Sequence, residues 1–97
     1  VSPALPLAFA LDLASANPAR GSSRIRYALP HDQHVRLALL DVRGRVVAVL
    51  RDGAEPAGVH EVVWDGRTAT GVAASGIYFV QFQTEEWKAQ RRLVRLR

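Results

Sequence analysis

His31-Asp32-Gln33-His34 is the one cluster in this 97-residue chain whose residue types suggest a metal. Two imidazoles three residues apart, with a carboxylate between them, can offer three donors to a divalent ion. No fourth donor follows at a fixed spacing, and the cluster sits between Pro30 and an alternating apolar run, so it reads as a solvated turn. Ser75, His60 and Asp65 have the residue types of a nucleophile, base and orienting acid. Ser75 lacks the Gly-x-Ser-x-Gly surroundings of a nucleophile elbow, and all three already have turn or strand roles. Asp41, Asp52 and Asp65 could meet at one end of a β fold around calcium, but the spaced oxygen donors of a calcium loop are missing. With no cysteine, disulfides, thiolate metal sites and thiol nucleophiles are excluded. The reading is a non-enzymatic chain with no cofactor, its polar residues serving turns and strands.

The net charge of +4 is unevenly placed. Lys88, Arg91, Arg92, Arg95 and Arg97 fall in the last ten residues with no acid among them, which leaves eight cations against nine acids in residues 1–87. Basicity thus belongs to the tail. A nucleic-acid interface spreads cations along a groove and interleaves aromatics, so nucleic acid is not an expected partner. No apolar run approaches the ~20 residues of a membrane-spanning helix. The chain starts Val1-Ser2-Pro3 and contains no methionine, and it reads as one domain, residues 1–97, cut from a longer protein.

The elements that must position these residues follow a period of two. Leu5, Leu7, Phe9, Leu11 and Leu13 alternate with smaller or polar residues, predicting an edge strand because of Pro6. Ile25–Leu29, Val35–Asp41, Arg45–Arg51 and His60–Trp64 alternate likewise. Tyr78–Phe82 and a final strand complete seven, the final one with Val94 and Leu96 turned inward. Asp41 and Gly44 hold the first and last positions of a type I turn. His31–His34, Asp52-Gly53 and the stretch from Asp65-Gly66 to Ser75-Gly76 read as loops. No segment carries a helical stripe. Seven short strands in about 100 residues predict an all-β, antiparallel, immunoglobulin-like sandwich. Trp64, in phase with Val62, is expected in the core, Asp65 and Gly66 in an Asx turn, Gly76 at a tight strand start and Tyr78 at a tyrosine corner. Arg91, Arg95 and Arg97 are expected on the solvent face of the last strand, where cations deter edge pairing.

Several blocks in order carry a resemblance: Asn17-Pro18, Ile25–Pro30, Val35–Leu37 with Asp41–Arg45, Val63-Trp64-Asp65-Gly66-Arg67, Gly71, Ser75–Phe79 and Arg92–Arg97. From Asn17 to the end the chain resembles the FlgD-like immunoglobulin domain of secreted bacterial proteins, related to type IX secretion sorting domains. The resemblance implies a C-terminal module following upstream domains of a larger secreted or cell-surface protein. In the sorting version of the family, the outer-membrane secretion machinery recognises such a module, which implies contacts through Arg91, Arg92, Arg95 and Arg97. Two positions depart from the family pattern: Ala19-Arg20-Gly21 stands where a bulky residue follows Asn-Pro, and Arg95 interrupts the final apolar run. The alternative is an accessory module binding carbohydrate or a neighbouring catalytic domain, for which Phe79 and Trp87 are the available aromatics.

Overall fold

Alternation of large apolar and polar residues produces strands throughout the computed structural model, which describes residues 8–96. They are β1 (Ala10–Leu13), β2 (Ser23–Leu29), β3 (Gln33–Leu40), β4 (Val46–Glu55), β5 (Gly58–Trp64), β6 (Arg67–Thr68), β7 (Gly71–Val72), β8 (Gly76–Gln83) and β9 (Lys88–Arg95). One sheet has the order β1-β2-β5 and the other β4-β3-β8-β9, with β6 and β7 forming a separate two-stranded hairpin. All these ladders are antiparallel. The inner faces meet in a core of Ile25, Tyr27, Leu29, Val35, Leu37, Leu39, Val62, Trp64, Tyr78, Val80, Phe82 and Leu93. The fold is an all-β immunoglobulin-like sandwich, with nine strands because the long connection after Trp64 contains the short β6–β7 pair.

Three boundaries differ from the sequence expectation. Gln33 and His34 begin β3, and β4 runs through Asp52-Gly53 to Glu55, because Gln33, His34 and Val35 find ladder partners in Glu55, Ala54 and Gly53. The β4–β5 turn is therefore only Pro56-Ala57. The described part of the first strand is Ala10–Leu13, with Leu11 buried; the expected positions Leu5 and Leu7 lie outside the described residues.

The larger correction concerns β9. Its register places Leu93 opposite Tyr78 and Arg95 opposite Gly76, so Leu93 and Arg95 turn inward. Val94 and Leu96, expected inside, take the outer face. Arg95 is only 7% exposed. A guanidinium is delocalised and weakly hydrated, which makes it the cation best suited to a buried position offering an aromatic face. That aromatic face is the Trp64 ring.

Candidate functional site

The end of the sandwich at which β5 finishes and β8 begins is built around Trp64. Its ring is 2% exposed, and its Nε1–H donates to the Arg67 carbonyl at 2.9 Å. The Arg95 guanidinium lies over this ring, 5.2 Å from the centroid, and Nη1 donates to the Gly21 carbonyl at 2.7 Å. Cation–π attraction in a desolvated place contributes about 2 kcal/mol, which offsets part of the cost of burying the charge. Gly66 completes the slot. Its φ of +84° belongs to the left-handed region, and a Cβ there would sit 2.6 Å from Arg95 Nη1. Two reasons thus exclude a side chain at position 66, one of backbone strain and one of space.

The same end is fastened by residues 17–19. The Asn17 side chain donates from Nδ2 to the Arg92 carbonyl at 2.8 Å and accepts at Oδ1 from the Val94 N–H at 2.9 Å. An amide side chain thus stands in for a peptide group along the β9 edge. Ala19 continues the pairing: its N–H donates to the Val94 carbonyl, and its carbonyl accepts from the Leu96 N–H. The Asn17-Pro18 peptide is cis. Asn17 appeared in the sequence only as part of a motif; the signal for its role is its side-chain chemistry, a donor and an acceptor in one planar group.

The turns at this end are held by their own side chains. Asp65 Oδ1 accepts from the Arg67 N–H at 2.9 Å, and the Tyr78 hydroxyl donates to the Ala74 carbonyl at 2.8 Å. Asp41 Oδ1 accepts from the N–H groups of Arg43 and Arg45, while Oδ2 accepts from Arg45 Nε at 3.2 Å. These bonds, the Arg45 N–H foremost, hold the Asp41 carboxyl below its ordinary 3.8. Gly44, with φ +82°, closes the turn by donating to the Asp41 carbonyl at 3.0 Å.

The remaining candidates are dispersed. His31 Nε2 pairs with Glu86 at 3.1 Å and His34 Nε2 with Asp52 at 2.8 Å, while Asp32 accepts from the Ala57 N–H. Each member of the cluster therefore has its own separate partner. Among the described residues no group of three or more His, Asp or Glu side chains could hold a metal ion. His60 stacks on Tyr27 near the far end of β5, five residues from Asp65, or about 16 Å along an extended strand. Asp52 is likewise far along β4 from Asp41. Phe79 faces outward from the four-stranded sheet, whereas Trp87 lies in the β8–β9 turn, its ring stacked on Phe9 at 5.4 Å, so the two do not share one sheet face.

Of the tail cations, Arg91 and Arg92 are exposed, Arg95 is buried, and Arg97 lies outside the described residues. The basic character is wider than the tail. Arg20, Arg43, Arg45 and Arg67 come to the same end as Arg92 and Arg95, where the acids among the described residues are Asp41 and Asp65, paired with Arg45 and Arg67. The opposite end carries Asp32, Asp52, Glu55, Glu85 and Glu86 against Arg36, Arg51 and Lys88, together with His31, His34 and His60. The sandwich is charge-segregated, a property of the folded chain that residue order conceals.

The family model of the FlgD Ig-like domain matches residues 14–87. No curated protein matches the chain. Among solved structures, the crystal structure of dimeric latent PorU from Porphyromonas gingivalis is similar, with a TM-score of 0.70 at 19% identity. The similarity covers 99% of this chain and 10% of that one. The chain belongs to the FlgD Ig-like domain family, and the matched model ends just before β9, the strand bearing Arg91, Arg92 and Arg95.

Proposed function

We propose that this domain is a non-enzymatic module of a secreted or cell-surface bacterial protein, acting in export, sorting or surface anchoring of the domains it accompanies. The observation that carries the reading is the pair of likenesses: a FlgD Ig-like family match, and the same fold occupying one-tenth of a PorU chain. The partners under this reading are upstream domains of the parent protein and components of an outer-membrane secretion apparatus of the type IX kind.

A reporter fusion tests it. The domain attached to an exported reporter in a type IX-competent host is expected to bring the reporter to the cell surface. Arg91→Glu with Arg92→Glu reverses two exposed tail arginines and leaves Leu93 and Arg95 in place. That variant is expected to fold and to lower surface display. Arg95→Glu is unsuitable for the purpose, since it puts a carboxylate against Trp64 and Gly66. Surface display unchanged by the double reversal would remove these cations from the mechanism, and a fusion that never reaches the surface would remove the reading itself.

A further inference from the structure

We infer that the basic end of the sandwich is a docking surface for an anionic lipid bilayer. The inference deepens the surface-anchoring reading and rests on it. The large apolar side chains exposed at this end include Val42 at 66%, Val46 at 46%, Ile77 at 41% and Leu96 at 38%. Val42 occupies the tip of the β3–β4 turn, a position where solvent contact ordinarily selects a polar residue. Ile77 and Leu96 come from the start of β8 and the end of β9, so three separate segments deliver apolar groups to one end. Val42 and Ile77 line one hollow, and exposed apolar groups gathered in this way mark an interaction site.

Charge selects the occupant. Arg43 and Arg92 flank the cluster, and neither has a carboxylate within 4.0 Å among the described residues. The outer face of the three-stranded sheet provides the contrast. There Val59 and Val63 are also exposed, but Glu61 between them takes both Arg24, at 4.0 Å, and Arg26, at 3.3 Å. At the basic end Asp41 pairs with Arg45 and Asp65 with Arg67, which leaves Arg43 and Arg92 without a carboxylate partner among the described residues. Projecting aliphatic side chains flanked by Arg43 and Arg92 match the layering of an anionic bilayer, with acyl chains beneath and phosphates at the rim. The acidic end then points away from the membrane.

The purified 97-residue chain is tested by sedimentation with phosphatidylcholine vesicles containing about 30 mol % phosphatidylglycerol, against pure phosphatidylcholine, at about 0.1 M salt. Binding is expected to favour the anionic vesicles by more than about tenfold. Arg43→Glu with Arg92→Glu should lower it at least about tenfold, and Val42→Ser with Ile77→Ser about threefold or more. Arg36→Glu with Lys88→Glu, an equal charge change at the opposite end, where both pair with Gln83, should stay within about twofold. Circular dichroism and the thermal midpoint check that each variant is folded. If the serine variant does not fold, the two charge variants decide alone. The inference is overturned by equal binding to neutral vesicles, or by equal loss in the two charge variants. Undiminished binding of the serine variant combined with equal capture by soluble polyglutamate would also overturn it, identifying an acidic protein surface instead. The vesicle assay uses no secretion machinery, so its failure and that of the reporter fusion are separately visible.

Discussion

The two ends of the sandwich use aromatic rings in opposite ways. At the basic end Trp64 is enclosed by Arg95, Gly66 and the edge of Tyr78, 5.7 Å between ring centroids, and nearly all of its surface is removed from water. At the acidic end the rings form a chain, Phe9 on Trp87, Trp87 against Phe82, Phe82 against Tyr27 and Tyr27 on His60, with Phe9 and Trp87 only half-buried. One arrangement concentrates burial on a single side chain, and the other distributes it over five. The first should fail abruptly when one residue is removed, and the second should lose little from any one of its outer members.

The largest expected difference follows from that contrast. Trp64→Ala should cost about 3–5 kcal/mol in urea unfolding, and Trp87→Ala about 1–2 kcal/mol. Equal losses would abolish the distinction between the ends. Next, Gly66→Ala should cost about 2–3 kcal/mol, through its left-handed backbone and the clash with Arg95. In an Arg95→Ala background the clash disappears, so the added cost of Gly66→Ala should fall by about 1 kcal/mol. A double-mutant cycle without coupling would mean that the guanidinium does not fill the slot. Asn17→Ala, which strips two hydrogen bonds from the β9 edge, should cost about 1–2 kcal/mol, with faster amide exchange at Val94.

The smallest effects are in pH dependence, and they too divide the ends. Asp41 is more acidic folded than unfolded, so its contribution is present above the ordinary carboxyl range and lost as pH falls through the folded value. Asp41→Asn should flatten the acid limb of stability below about pH 4. At the other end, burial of the ring and the 2.8 Å hydrogen bond from its hydroxyl to Glu55 Oε1 push Tyr27 well above its ordinary 10.0. The folded state therefore keeps this proton where the unfolded state releases it. Stability should decline as pH rises past about 10, and Tyr27→Phe should reduce that decline. Unfolding midpoints of the two variants across pH separate the limbs.

Alternation in β2, β3, β5 and β8 was enough to place their inward residues, since Ile25, Tyr27 and Leu29, Val35, Leu37 and Leu39, Val62 and Trp64, and Tyr78, Val80 and Phe82 each recur at a period of two. The last strand was not readable in that way. Arg92-Leu93-Val94-Arg95-Leu96 presents apolar residues in both phases, and treating arginine as a solvent-facing residue selects the wrong one. The phase is decided by partners distant in sequence, Tyr78 for Leu93 and the Trp64 ring for Arg95, which local pattern does not contain. Asp52-Gly53 misleads for a related reason: its composition is that of a turn, but Val35 and Arg36 pair with it as strand. The basic end was hidden more completely, because it is assembled from segments near residues 20, 43, 67 and 92. The one local sign of it was an apolar valine within Asp41-Val42-Arg43-Gly44.

Asn17 reaches its two partners across separations of 75 and 77 residues. Closing so long a loop is entropically costly before the contact forms, and contacts of this range slow folding. During synthesis the early segment has no mate until Arg92 to Leu96 leave the ribosome, so Trp64 lacks its cationic cover and β8 has only β3 beside it until then. The nascent sandwich stays open along one side for most of its elongation and shuts when a single strand arrives. For a chain whose proposed work is passage through an envelope, that timing gives the final strand authority over when the domain becomes compact.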